Sequence, residues 1–175
     1  MSDELRKPGL TIGSLLLLVL AFGLLAAVLF PVYRRAVHTT TLRRTMADIG
    51  VWNQAIADFA ADHQIPPTNP NGEISFKKPI IEEVRPYLPR IRTADWWGTH
   101  YRIWIGPSID EYGLRATSPN DVLIVSTGKK GIRELWRYDP IRPEGGFFAL
   151  DELQDFEKDL VVWNRKPLRW PKDQP

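Results

Sequence analysis

The side chains in this sequence able to do chemistry are His38, His63 and His100, the acidic pairs Glu82/Glu83 and Glu134/Asp139, and the indole pair Trp96-Trp97. Imidazoles and carboxylates hold a metal or relay a proton only when several converge on one point. The three histidines are scattered and read as separate surface or helix-face residues. The acidic pairs read as solvated faces. Trp96-Trp97 has the rings for a sugar platform, but indoles beside a strand are first of all core material. No G-x-S-x-G, H-E-x-x-H or phosphate-cradling glycine loop occurs. Cysteine is absent, which removes disulfides, thiolate chemistry and Cys-ligated zinc together. A net charge of +2 gives no pull toward nucleic acid. These residues point to packing and assembly, not catalysis.

The elements that must position them begin with a membrane segment. Leu10 to Phe30 is 21 residues without a charge, and at about 1.5 Å per residue it reaches roughly 31 Å, the thickness of a bilayer core. The apolar run continues through Val28, Leu29 and Phe30 with no small-x-small cleavage site, so it reads as a retained span. Arg6 and Lys7 precede it, and Arg34, Arg35, Arg43 and Arg44 follow it. Counted alone, that balance places the C-terminal part in the cytoplasm.

Beyond Pro31 the apolar residues recur at helical spacing, Met46, Ile49, Asn53, Ile56 and Ala60, with Trp52 and Phe59 alongside. No Pro-Pro or Gly-Pro break occurs before Ile65-Pro66-Pro67. One helix is expected from Leu10 to His63, kinked at Pro31; the alternative is two helices broken near Pro31 or Thr39. Residues 65–73 form a turn-rich linker, and Ile80 to Leu88 a short helix. His100–Ile105, Tyr112–Thr117 and Asp121–Ser126 read as strands, with Leu135–Tyr138 as a fourth. Ala149–Leu160 reads as a short surface helix, and the proline-rich residues 165–175 as a loose tail. The expected class is α+β, a long N-terminal helix packed on a small antiparallel sheet. The segments are 1–9, 10–30, 31–63, a head over 64–164, and 165–175.

This plan resembles that of type IV pilins and pseudopilins. Arg6-Lys7-Pro8-Gly9 is similar to the family's leader end, and Leu10-Thr11-Ile12 to its mature start. Counted from Leu10, Pro31 and Tyr33 fall where the family commonly carries Pro and Tyr. In the head, Asp95-Trp96-Trp97-Gly98-Thr99-His100-Tyr101 resembles the Asp-Pro-Trp-Gly-x-x-Tyr segment of the major, G-type pseudopilin of type II secretion. Asp62 to Thr68 resembles its helix end, Ser126-Thr127-Gly128-Lys129-Lys130-Gly131 its Ser-x-Gly-x-Asp-Gly loop, and Asp159 to Trp163 its C-terminal Asp-Ile-x-x-Trp.

The resemblance implies cleavage between Gly9 and Leu10, methylation of Leu10, and a pilin-like head whose family motif here comprises Asp95, Trp97, Gly98, Tyr101, Ser126, Gly128 and Gly131. It implies a non-enzymatic subunit of a pilus-like rod that drives protein export, anchored in the inner membrane with the head in the periplasm, against the charge count. The implied partners are other pseudopilins, the prepilin peptidase, the inner-membrane secretion platform and the lipid bilayer, with no nucleic acid. Two residues depart from the pattern. Ser14 stands where the family has the Glu that neutralises a neighbour's amino terminus, which disfavours self-polymerisation. Lys130, beside Lys129, stands where the family's loop has a calcium-binding Asp, so the calcium site is expected to be lost and no cofactor is expected. The competing readings are a minor or tip pilin-like protein, a membrane-tethered binding module of a type IV pilus or competence system, and a tethered envelope enzyme.

Overall fold

A computed structural model describes residues 12–88, 90 and 92–172. The described chain falls into two compact units, one ending at Val37 and the other beginning at His38. Helix α1 runs Ile12–His63 with Pro31 inside it, so neither Pro31 nor the three consecutive threonines breaks the element. In the first unit α1 is apolar and unburied: every large apolar residue from Ile12 to Tyr33 is at least half exposed. By length and composition this helix is able to cross a membrane, where lipid takes the place of a protein partner.

From His38 onward α1 belongs to the head. Its buried residues are Leu42, Thr45, Ile49, Trp52, Asn53, Ala55, Ile56 and Phe59, a stripe advancing by steps of three and four that forms one face. The stripe is turned slightly from the expected one, with Met46 only partly buried. It packs with Ile80, Ile81, Ile103, Ile124 and Leu160 into the main core. Trp52 is 2% exposed, and its truncation to Ala would cost about 3–5 kcal/mol. Gln64, with φ 57°, takes the left-handed conformation that ends a helix, and Pro66-Pro67 prevents its resumption.

After α1 come β1 (Gly72–Glu73), α2 (Pro79–Val84), β2 (Arg102–Ile105), β3 (Asp110–Glu111), β4 (Leu114–Arg115), β5 (Val122–Ser126), β6 (Phe147–Phe148), β7 (Leu160–Trp163) and β8 (Lys166–Pro171). Six strands form one sheet in the order β1-β2-β5-β7-β8-β6, and β3-β4 is a separate hairpin. All pairings are antiparallel except β6 with β8. The class is α+β, as expected. β5 is buried at all five positions, as a central strand covered on both faces must be. One face meets α1. The other meets a second core of Ile109, Tyr112, Leu114, Val161 and Leu168.

Four local expectations differ from the structure. Tyr112–Thr117 is not one strand, because Tyr112 and Gly113, both at positive φ, make the two-residue turn of the β3-β4 hairpin. Leu135–Tyr138 joins no sheet. Ala149–Leu160 is not an α-helix: it holds one short 3-10 segment, Leu153–Glu157, and its last residue opens β7. Residues 166–171 are not loose, because Asn164 and Arg165, with φ 47° and 67°, turn the chain back and make β8 the partner of β7. Pro167 is accommodated where the β7-β8 register shifts, a place where the ladder does not need its missing donor.

Candidate functional site

Asp95 sits at the end of the loop that leads into β2 and is 1% exposed. Burying a carboxylate is costly unless donors surround it. Here the Trp97 and Thr99 backbone N–H groups each donate to Oδ1 at 2.9 Å, and Ser126 Oγ, at the end of β5, donates to Oδ2 at 2.7 Å. Burial pushes the Asp95 carboxyl above the usual carboxylate range, against the opposing pull of these donors. Ser126 Oγ in turn accepts from Gly128 N–H at 3.3 Å. Asp95 therefore ties the β2 approach to the loop after β5.

The neighbouring residues fasten the same loop to α1. Trp96 Nε1 donates to Asp48 Oδ2 at 2.9 Å, and Trp96 N–H donates to Thr45 Oγ1 at 3.3 Å. Arg92 pairs with Asp48 at 3.3 Å. The guanidiniums of Arg92 and Arg44 lie 4.0 and 4.6 Å from the Trp96 ring centre, so the indole is engaged by cations rather than presented to a sugar. Tyr101 is fully buried, and its hydroxyl donates to Asp48 Oδ2 at 3.4 Å.

A second buried carboxylate, Asp159, lies just before β7 and is 0% exposed. Its Oδ2 accepts from the Tyr112 hydroxyl at 2.5 Å and from Glu134 N–H at 3.0 Å. Glu134 returns the contact, accepting from Asp159 N–H at 3.0 Å, and takes Arg169 of β8 in a two-pronged pair at 2.6 and 2.9 Å. Burial raises the Asp159 carboxyl as well. This junction binds the β3-β4 turn, the 129–146 loop and the last two strands of the chain. The resemblance marked Asp159 through its motif; Glu134, expected to form a solvated acidic pair with Asp139, is instead clasped to Arg169 while Asp139 faces Arg142, and nothing local marked Tyr112 or Arg169 as partners.

Between the two junctions runs the loop 126–131. Lys129 N–H donates to Phe156 O at 2.8 Å. Gly128, at φ +61°, is so close to the 156–158 backbone that an added Cβ would lie 2.6 Å from Lys158 O. Gly131 packs against Thr99 Oγ1. The structure thus gathers Asp95, Trp97, Gly98, Tyr101, Ser126, Gly128 and Gly131 into one region of the head. Ser14, Pro31 and Tyr33 belong to the first unit, where each is exposed on α1. Gly9 and Leu10 lie outside the described residues.

A surface groove of about 410 Å³ beside the loop is lined by the carboxylates of Glu134, Glu152, Asp155 and Glu157, and by the cations of Lys130, Arg133 and Lys158. Asp155 is paired with Lys158 at 2.6 Å and Glu134 with Arg169. A dication needs several uncommitted oxygen ligands, and two of the four carboxylates already face cations. Among the described residues no group of three or more His, Cys, Asp or Glu side chains is placed to hold a metal. His63 and His100 each face a backbone carbonyl, of Phe59 and Thr93, and His38 packs on Phe156. The arrangement is a set of internal clasps around a sheet and helix, a fold compatible with the pilin plan. The chain matches no protein-family profile, no curated protein and no solved structure.

Proposed function

We propose that the chain is a non-enzymatic structural subunit of a type II secretion pseudopilus, a pilus-like rod whose growth drives protein export across the outer membrane. The observation that carries the reading is α1 itself, apolar and exposed in its first unit and the spine of the head's core in its second. Such a helix serves two solvents. Its first part suits lipid, or the packed helices of a rod, equally well, since both offer apolar contact without water. The junction of Asp95 with Ser126 adds support, because it couples two segments that carry the sequence resemblance.

On this reading the subunit is held in the inner membrane with its head in the periplasm. The prepilin peptidase cuts after Gly9 and Leu10 becomes the methylated amino terminus. The subunit's partners are other pseudopilins and the secretion platform. Ser14 favours a minor or tip position, joined to subunits that carry the Glu. The paired carboxylates and the lysines of the 126–131 loop support a head that needs no calcium.

Mass spectrometry of the membrane-bound protein, expressed with a prepilin peptidase, tests the reading. The expected product begins at Leu10, and Gly9→Val leaves the precursor uncut. A wild-type chain that retains Met1 to Gly9 in the presence of active peptidase overturns it.

A further inference from the structure

Residues 133–138 have the pattern of a strand without a strand's partner. They lie in no helix or turn, and their burial alternates: Arg133, Leu135 and Arg137 are exposed, and Glu134, Trp136 and Tyr138 are partly buried. That is the period of an extended chain with one face on the protein. The inward residues are anchored. Glu134 N–H donates to Asp159 Oδ2 at 3.0 Å, Tyr138 N–H to Tyr112 O at 2.8 Å, and the Trp136 and Tyr138 rings pack on the second core.

In an extended chain the N–H and C=O groups of alternate residues point to opposite edges. With Glu134 and Tyr138 bonded toward the domain, Leu135 and Arg137 direct theirs outward. Neither backbone forms a hydrogen bond with any described residue. Leu135 is 101% exposed, and Ile132 and Ile141 flank the segment at 62% and 87%. Folded proteins usually shorten, cover or charge such an edge, because it is a template for pairing.

We propose that this edge is a strand-addition site for an extended segment of a partner protein, one presenting an apolar and an acidic residue at alternate positions. Charge selects that occupant. Leu135 and Arg137 present exposed side chains on the outward face, so the residues opposite them are best apolar and acidic. The Arg133 guanidinium is turned inward, paired with Glu111 and 4.4 Å from the centre of the Tyr112 ring, and Arg142 is paired with Asp139. Arg137 makes no ion pair with a described residue, so an acid opposite it meets an uncommitted cation. A second copy of the same edge is a poor occupant: antiparallel pairing centred on Leu135 would set Arg137 of each copy against Arg133 of the other, so neither Arg137 would meet an acid. The site stands apart from the rod, since any partner with such a segment satisfies it.

The test uses the full chain in detergent micelles and a labelled peptide probe, acetyl-Thr-Glu-Thr-Leu-Thr-Glu-Thr-amide, read by fluorescence anisotropy and by amide hydrogen exchange. The expected result is saturable binding that slows exchange at Leu135 and Arg137 and leaves Tyr138 unchanged, because its N–H is already bonded. Methylating the peptide nitrogens of one alternate set should abolish binding while methylating the other set does not, since only one set faces the edge. Arg137→Glu and Leu135→Pro should each weaken binding by about tenfold or more, the first by repulsion and the second by removing the central donor. The peptide arm does not depend on a variant folding. Failure to bind at millimolar peptide, or equal binding by both methylated forms, overturns the proposal; the second result would mean attraction by charge alone.

Discussion

Ser126 Oγ and Asp95 Oδ2, 31 residues apart in sequence, meet in a buried 2.7 Å hydrogen bond. It joins the end of the central strand β5 to the loop that crosses α1. With Trp97 and Thr99 also donating, one carboxylate organises its own loop and the end of β5. Asp95→Ala would leave two backbone N–H groups and a hydroxyl buried without an acceptor. The expected loss is about 2–4 kcal/mol, read as a lower denaturation midpoint of the full chain in detergent. Asp95→Asn, which keeps one oxygen acceptor, should lose less.

The pH dependence of the same residue follows from its burial. Asp95 titrates above the usual carboxylate range in the folded state, so the folded protein holds a proton that the unfolded chain has released. That contribution is complete below the unfolded value of about 3.9 and is lost as pH rises through the raised folded value. Asp159 acts in the same direction. The stability of wild type relative to Asp95→Asn should therefore increase as the pH is lowered from neutral toward 4, measured by melting both proteins across that range. A difference that shrinks on acidification would mean the ionised form is the one the site prefers.

Gly128 and Gly98 separate two costs of adding a methyl group. Both have positive φ, but a Cβ at Gly128 would meet Lys158 O and Phe156 O, while at Gly98 it meets nothing within 4 Å. Gly98→Ala should cost about 1–2 kcal/mol, the backbone term alone. Gly128→Ala should cost clearly more, because the loop must move off the 156–158 backbone. Paired thermal melts would show the difference.

Calcium should leave the head unchanged. A ligand that binds only the folded state raises stability in proportion to RT ln(1 + [L]/Kd), so equal melting in chelator and in millimolar calcium is the expected outcome. Arg169→Ala would free the Glu134 carboxylate and unclasp β8, and is expected to destabilise by about 3 kcal/mol through the unpaired, half-buried charge. An upward shift with calcium in the wild type would show that other oxygens rebuild a site.

For Ser14 the expected outcome concerns assembly. A carboxylate in an apolar core pairs with a neighbour's ammonium far better than a hydroxyl does. Ser14→Glu should increase the fraction of overexpressed protein that pellets or crosslinks as homopolymer, and Ser14→Ala should leave it low. Abundant wild-type homopolymer that Ser14→Glu reduces would remove the minor or tip position.

The sequence alone determined what depends on near neighbours. A charge-free run of membrane length, an apolar period that returns every third or fourth residue up to Ile65-Pro66-Pro67, and the apolar strings Ile103–Ile105 and Val122–Val125 are local patterns, and the long helix with its α+β class follows from them. Only the tertiary structure decided where the sheet ends and what the acids do. Asn164-Arg165 lacks the glycine that advertises a two-residue turn, and Pro167 and Pro171 disguise β8; its place is fixed by pairing with β7 and by Arg169 reaching Glu134. Residues 133–138 carry a strand's pattern, but a strand is completed by a neighbour, and the described residues supply none. Asp95 takes two donors from its own loop but the third, Ser126, from a distant strand, and Asp159 finds Tyr112 and Glu134 on distant segments, since a buried charge is satisfied by whatever the fold brings to it.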